Sequence, residues 1–121
     1  APTEPIPLLV GGHADAALRR AVIRGDGWMH GGGPPEELET LLDRINEIRM
    51  AEGKTNDPFE IHVISMDAYT VDGCKRLEDK GITDVIVGFR LPYVMGDDTE
   101  PLQTKIDHLN RFAERVIAKC R

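Results

Sequence analysis

Cysteine is nearly missing from this sequence: only Cys74 and Cys120 occur in 121 residues. Two thiols at that separation match neither a zinc motif nor a disulfide framework. Both are expected to be reduced thiols of a cytoplasmic protein, serving as small apolar fillers. A basic surplus is missing too. Fifteen Lys and Arg stand against 21 Asp and Glu, a formal net charge of −6. Neutralising nucleic-acid phosphates needs an excess of cations, so a nucleic-acid surface is not expected. No apolar run approaches the roughly 20 residues that cross a bilayer, and no signal peptide is visible. The short signatures G-x-S-x-G, P-loop, H-E-x-x-H and complete G-x-G-x-x-G are all absent. No metal site is therefore expected, and no side chain can be named as catalytic. An initial methionine is also absent. The opening APTEPIP has three prolines in seven residues, an extended lead-in, and a processed or truncated chain is expected.

What is present reads as one globular domain over residues 1–121, 40% hydrophobic and 30% charged. Four short apolar runs alternate with four amphipathic stretches. Ile6–Val10 reads as a buried strand ended by Gly11-Gly12, and a helix then carries Ala17, Leu18, Ala21 and Val22 up to Gly25. Trp28-Met29 can form a very short strand. Gly31, Gly32 and Gly33 follow as a loop, and Pro34-Pro35 opens a helix with Leu38, Leu41, Leu42, Ile45 and Ile48 on one face. Phe59–Met66 is a strand with Phe59, Ile61 and Val63 on one side and His62 and Ile64 on the other. A helix from about Thr70 to Gly81 leads to a fourth strand, Asp84–Phe89. The loop RLPYVMGDD then precedes a last helix with Leu102, Ile106, Leu109, Ala113, Val116 and Ile117 at helical spacing.

Strand-helix repeated four times predicts an α/β chain with a parallel sheet and right-handed crossovers. Two architectures satisfy that order: an open sheet with helices on both faces, or half of an eight-stranded barrel, since a whole barrel takes about 250 residues. A half-barrel turns its inner strand face, including some of Leu9, His62, Ile64 and Ile86, to water. Burying a Leu or Ile is worth about 1.5–3 kcal/mol. Leaving several bare offsets much of a typical 5–15 kcal/mol domain stability.

The stretch VGGHADAALRRA carries the clearest chemical signal. Two glycines at the carboxyl end of a strand let backbone approach a ligand, and the next helix aims its unpaired N–H groups at the same place. That is a seat for phosphate. Gly11 and Gly12 allow the approach, and the amides of His13 and Ala14 can donate. A plain turn without ligand fits the same residues. Trp28 suits core packing. His62 suits a hydrogen-bonded interior histidine. Asp67 and Arg90 each follow a strand, and Arg90 could meet a phosphate or carboxylate. His108 has no visible partner.

The longer pattern PIPLLVGGHADAALRRAVIRGDGW strongly resembles the carboxyl-terminal half of luciferase-like monooxygenases. Pro5, Pro7, Gly11, Gly12, Ala17, Arg20, Ala21 and Gly25–Trp28 match a P-x-P-x-x-x-G-G segment, an A-x-x-R-A helix and a G-D-G-W strand. DVIVGF and the helix after TEPLQTKIDHLNRFAERV look like the end of that family's barrel, so the resemblance covers essentially the whole chain. FEIHVISMDAYTVDGCKRLEDKGITDVIVGFR is most similar to members that use coenzyme F-420.

The resemblance implies the last four βα units of a TIM (β/α)8 barrel, with the front half missing. It implies an oxidoreductase or monooxygenase that passes a hydride or electrons between F-420, favoured, or FMN and an organic substrate. Gly11, Gly12, His13, Ala14, Trp28 and Arg90 become candidates for holding the coenzyme. One departure stands out: the family often has Ser or Thr after GGH, and this chain has Ala14, which removes a hydroxyl donor. The expected partners are the coenzyme, the substrate and either the missing half-barrel or a second copy. In the second case the chain would be a catalytically inactive homodimeric scaffold. A flavodoxin-like open sheet is a third reading, but that sheet has five strands where four are counted here.

Overall fold

The computed structural model describes residues 1–90 and 95–120. Four parallel strands form one sheet in the order β1-β2-β3-β4: β1 is Leu9–Gly11, β2 Gly27–Met29, β3 Glu60–Ile64 and β4 Asp84–Ile86. Between and after them run α1 (Asp15–Arg24), α2 (Pro35–Ala51), α3 (Val71–Asp79) and α4 (Leu102–Arg115). A doubly wound sheet reverses its strand order part-way, whereas sequential order with right-handed crossovers lays every helix on one side. One continuous core shows this directly for α1, α2 and α3. Leu18, Ala21 and Val22 of α1, Leu38, Leu41, Leu42, Ile45 and Ile48 of α2, and Leu77 of α3 all pack with Trp28, Ile61 and Val63.

Strand register explains the two faces. Val10, Trp28 and Ile61 are paired across the sheet, as are Val63 and Val85. These residues point to the helices. The alternate set, Gly11, Met29, His62 and Asp84 in one row with Ile64 beside Ile86 above it, points away. Among the described residues nothing covers that second face, and Ile64 is 45% and Ile86 37% exposed. The fold is α/β, four parallel strands alternating with helices, and it is consistent with half of a luciferase-like TIM barrel.

Element boundaries differ from the sequence expectation in instructive ways. The first strand starts at Leu9 rather than Ile6, because Pro5 and Pro7 have no N–H to donate to a ladder. Leu8 is instead held by Asp26: its N–H donates to the Asp26 carboxylate at 2.7 Å, and its carbonyl accepts from the Asp26 N–H. The third strand stops at Ile64. Ser65 Oγ accepts from the Asp67 N–H and starts a 3-10 turn over Met66–Tyr69. Thr70 then caps α3 by accepting from the Gly73 N–H. The fourth strand ends at Ile86 rather than Phe89. Part of the RLPYVMGDD loop lies outside the described residues.

Candidate functional site

The carboxyl ends of β1 and β2 converge on a compact polar cluster. After Gly11 the chain turns through Gly12, whose φ of +112° is open to glycine but strained for other residues. A Cβ there would also come within 2.9 Å of the Ala17 Cβ. Trp28, 0% exposed, reaches under the turn and donates from Nε1 to the Gly12 carbonyl at 2.9 Å. The core thus fixes the turn's shape. Gly11 is different in kind. A Cβ added there meets only the Met29 carbonyl, at an ordinary 3.8 Å, so its missing side chain keeps open the bare face beside the turn.

Ala14 forms the N-cap of α1 in extended backbone, with no side-chain cap, and its carbonyl accepts from Ala17 and Leu18. The first-turn N–H groups of such a helix lack intrahelical partners. Asp15 places a carboxylate in that turn, but Arg44 at 2.6 Å and Arg19 at 2.9 Å engage it. Those guanidiniums, Arg44 foremost, hold the Asp15 carboxyl below the usual carboxylate range. The acid is therefore spoken for, and it stitches α1 to α2.

His13 is positioned from both ring nitrogens. Its Nε2 accepts the Gly31 N–H at 3.2 Å, so Nδ1 carries the proton toward Glu37 Oε1 at 3.1 Å. Its ring stacks on His30 with centroids 5.1 Å apart and planes 11° apart, and Trp28 flanks both. His30 is 1% exposed, and neither ring nitrogen has a hydrogen-bond partner among the described residues. Burial, then the neighbouring His13, pushes its imidazole below the ordinary histidine value. The Ile64 carbonyl opposes this without making a hydrogen bond of acceptable geometry.

Gly11, Gly12, His13, Ala14 and Trp28 are thus brought together at one end of β1 and β2. Arg90 is not among them. It follows β4, the strand at the opposite edge of the sheet from β1. It borders a small cavity with Asp98, Glu100 and Lys105, and its Nη2 reaches the Asp97 carbonyl at 3.5 Å. Asp67 is paired with Arg76 at 2.6 Å, which lowers its carboxyl pKa. His62 is half-buried and hydrogen-bonded to Glu60, as expected, but it lies on the uncovered face of the sheet rather than in the interior. Sequence reasoning missed Glu37. Glu37 stands 24 residues from His13, and only the β2–α2 geometry unites them. Also missed was an aromatic cavity of about 270 Å³ beneath α4, lined by Tyr69, Phe89, His108 and Phe112 with Arg111 and Arg115. Its residues are scattered across three elements with no shared motif.

The two cysteines are free, Cys74 half-buried and Cys120 exposed. The apolar-filler reading suits Cys74 but not Cys120. Both border a cavity of about 850 Å³ between α3, β4 and the last turn. Burial, with the Cys120 thiol nearby, pushes the Cys74 thiol up.

The sequence model of one family, described as luciferase-like monooxygenase, matches residues 1–111. The chain belongs to that family. Among similar proteins are the uncharacterized proteins Rv0940c of Mycobacterium tuberculosis and Mb0965c of Mycobacterium bovis. Each is 72% identical over 119 residues, covering 98% of this chain and 41% of the relative. This luciferase-like chain therefore spans less than half the length of those relatives. No solved structure matches it. Among the described residues no helix is long and apolar enough to cross a membrane.

Proposed function

We propose that the chain is the carboxyl-terminal half of the barrel of an F-420- or FMN-dependent oxidoreductase, with F-420 favoured by sequence resemblance, acting in the cytoplasm. The coenzyme's phosphate end is held at Gly11–Ala14. The observation that carries this reading is the Gly12 turn, held from below by the Trp28 indole at the carboxyl end of β1, with the first turn of α1 opening beside it. Active sites of TIM barrels form at that end of the strands. The residues fit a phosphate through backbone N–H groups rather than side chains, since Ala14 has no hydroxyl and Arg90 is remote. When bound, the coenzyme supplies hydride or electron transfer. The chain's own part is to seat one end of it, with the His13 ring fixed by Gly31 and Glu37 as a rigid wall. No side chain of this half is assigned the reacting proton.

Titration with reduced F-420 and with FMN, in a protein carrying the whole barrel, tests the proposal through coenzyme fluorescence. Gly11→Val fits the backbone but fills the open space, and should weaken binding about tenfold or more, a loss of roughly 1.4 kcal/mol. Unchanged affinity would remove Gly11 from the site.

A second reading has its own observation. Met29, Ile64 and Ile86 lie exposed on the uncovered sheet face, and two copies could cover each other as a C2 homodimer. Light scattering separates the two: a dimer that binds neither coenzyme favours the scaffold.

A further inference from the structure

Charge on the uncovered sheet face is concentrated at one place. His62 Nε2 lies 2.8 Å from Glu60 Oε2 and 3.2 Å from Asp84 Oδ2. One donor atom from each of the three side chains falls within 4.8 Å of the others. Leu9, Ile64 and Ile86 on the same face are apolar. Glu60 and His62 are two residues apart on β3, and Asp84 is in register with His62 on the hydrogen-bonded neighbour β4. The sheet backbone, rather than a loop, fixes where the three donors stand.

We propose that Glu60, His62 and Asp84 form a binding site for a first-row divalent transition-metal ion of the Zn²⁺ or Mn²⁺ type. The spacing is the first argument. Donors about 2.1 Å from an ion lie about 3.0 Å apart at right angles and about 3.4 Å apart in a tetrahedron. The two separations at His62, 2.8 and 3.2 Å, fall near that range, and the third pair lies within 4.8 Å. The donor set is the second argument. One imidazole with two carboxylates suits zinc, manganese or iron better than magnesium or calcium, which prefer oxygen alone. Charge is the third. Two carboxylates with a neutral imidazole carry −2, which a divalent ion cancels. Three protein ligands also leave coordination positions open toward the concave side, for water or for a donor from the opposite wall.

The site is independent of the coenzyme seat at Gly11–Ala14, and its test separates the two. Calorimetric titration with MnCl₂ and ZnCl₂ should follow chelator treatment, in a Cys74→Ser/Cys120→Ser background that removes thiol ligands. The proposal expects saturable one-to-one binding, weakened about tenfold or more by Asp84→Asn and by Glu60→Gln. Asp67→Asn should leave it unchanged. Mn²⁺ should also broaden the His62 ring resonances in the unmodified chain before those of His108. Circular dichroism of both carboxylate variants reports whether they remain folded. No saturable binding would overturn the proposal and leave His62 simply hydrogen-bonded to its carboxylate neighbours. So would Ca²⁺ binding as tightly as Zn²⁺, or binding indifferent to both carboxylate variants.

Discussion

The two ends of the sheet are built to different standards. At the β1–β3 end, α1 buries Leu18, Ala21 and Val22, and α2 buries five residues against Trp28, Ile61 and Val63. At the β4 end all three strand residues are exposed, and α4 buries none of its own. Yet α4 carries a clear apolar stripe, Leu102, Ile106 and Leu109, which remains exposed. The docking of this end rests on the buried Val116 and on rings such as Tyr69, Phe89 and Phe112, which meet edge to face. An amphipathic pattern states what an element is shaped to cover. It does not state that the covered surface belongs to the same stretch of chain.

Breaking the stronger end should have the largest effect. Trp28→Ala removes a fully buried ring and the bond to Gly12, and should cost about 3–5 kcal/mol in urea unfolding. Ile106→Ala in α4 should cost under about 1 kcal/mol, because its side chain is already partly in water. Equal losses would erase the distinction. Hydrogen exchange sharpens it without mutation. Amides of α4 should open with a free energy several kcal/mol below those of α2, since few buried contacts hold them.

Smaller effects separate the two glycines of the turn. Gly12→Val forces a branched side chain into positive φ and should cost roughly 1–3 kcal/mol of stability. Gly11→Val should cost little stability while reducing coenzyme affinity. The smallest expected effect is electrostatic. The imidazole of His30 lies below its ordinary value when folded, so the unfolded chain takes up that proton first. The contribution of neutral His30 is fully present above about pH 6.5 and is lost as pH falls through the lowered folded value. His30→Leu should flatten the stability curve in that window, read from thermal midpoints across pH.

Much of this was legible in the sequence. The strand-helix alternation, the Gly25 stop, the Pro34-Pro35 helix start and the inward placement of His62 and Ile64 all follow from periodicity and turn chemistry. The end of β3 was not legible, because Ser65 sets it through a side-chain bond that leaves no periodic trace. Within the candidate site, Gly11–Ala14 stood out because glycine pairs have a local meaning. The His13–Glu37 and His62–Asp84 contacts did not, because they join residues 24 and 22 positions apart across neighbouring βα units.

Hydroxyl-radical footprinting of β3, on the chain diluted enough to stay monomeric, reads the uncovered face directly. Ile61 and Val63 should be protected while Ile64, together with Ile86 on the neighbouring strand, is labelled strongly. Protection of Ile64 and Ile86 equal to that of Val63 would mean that a second layer already covers the sheet, and that these strands are not one wall of an open barrel.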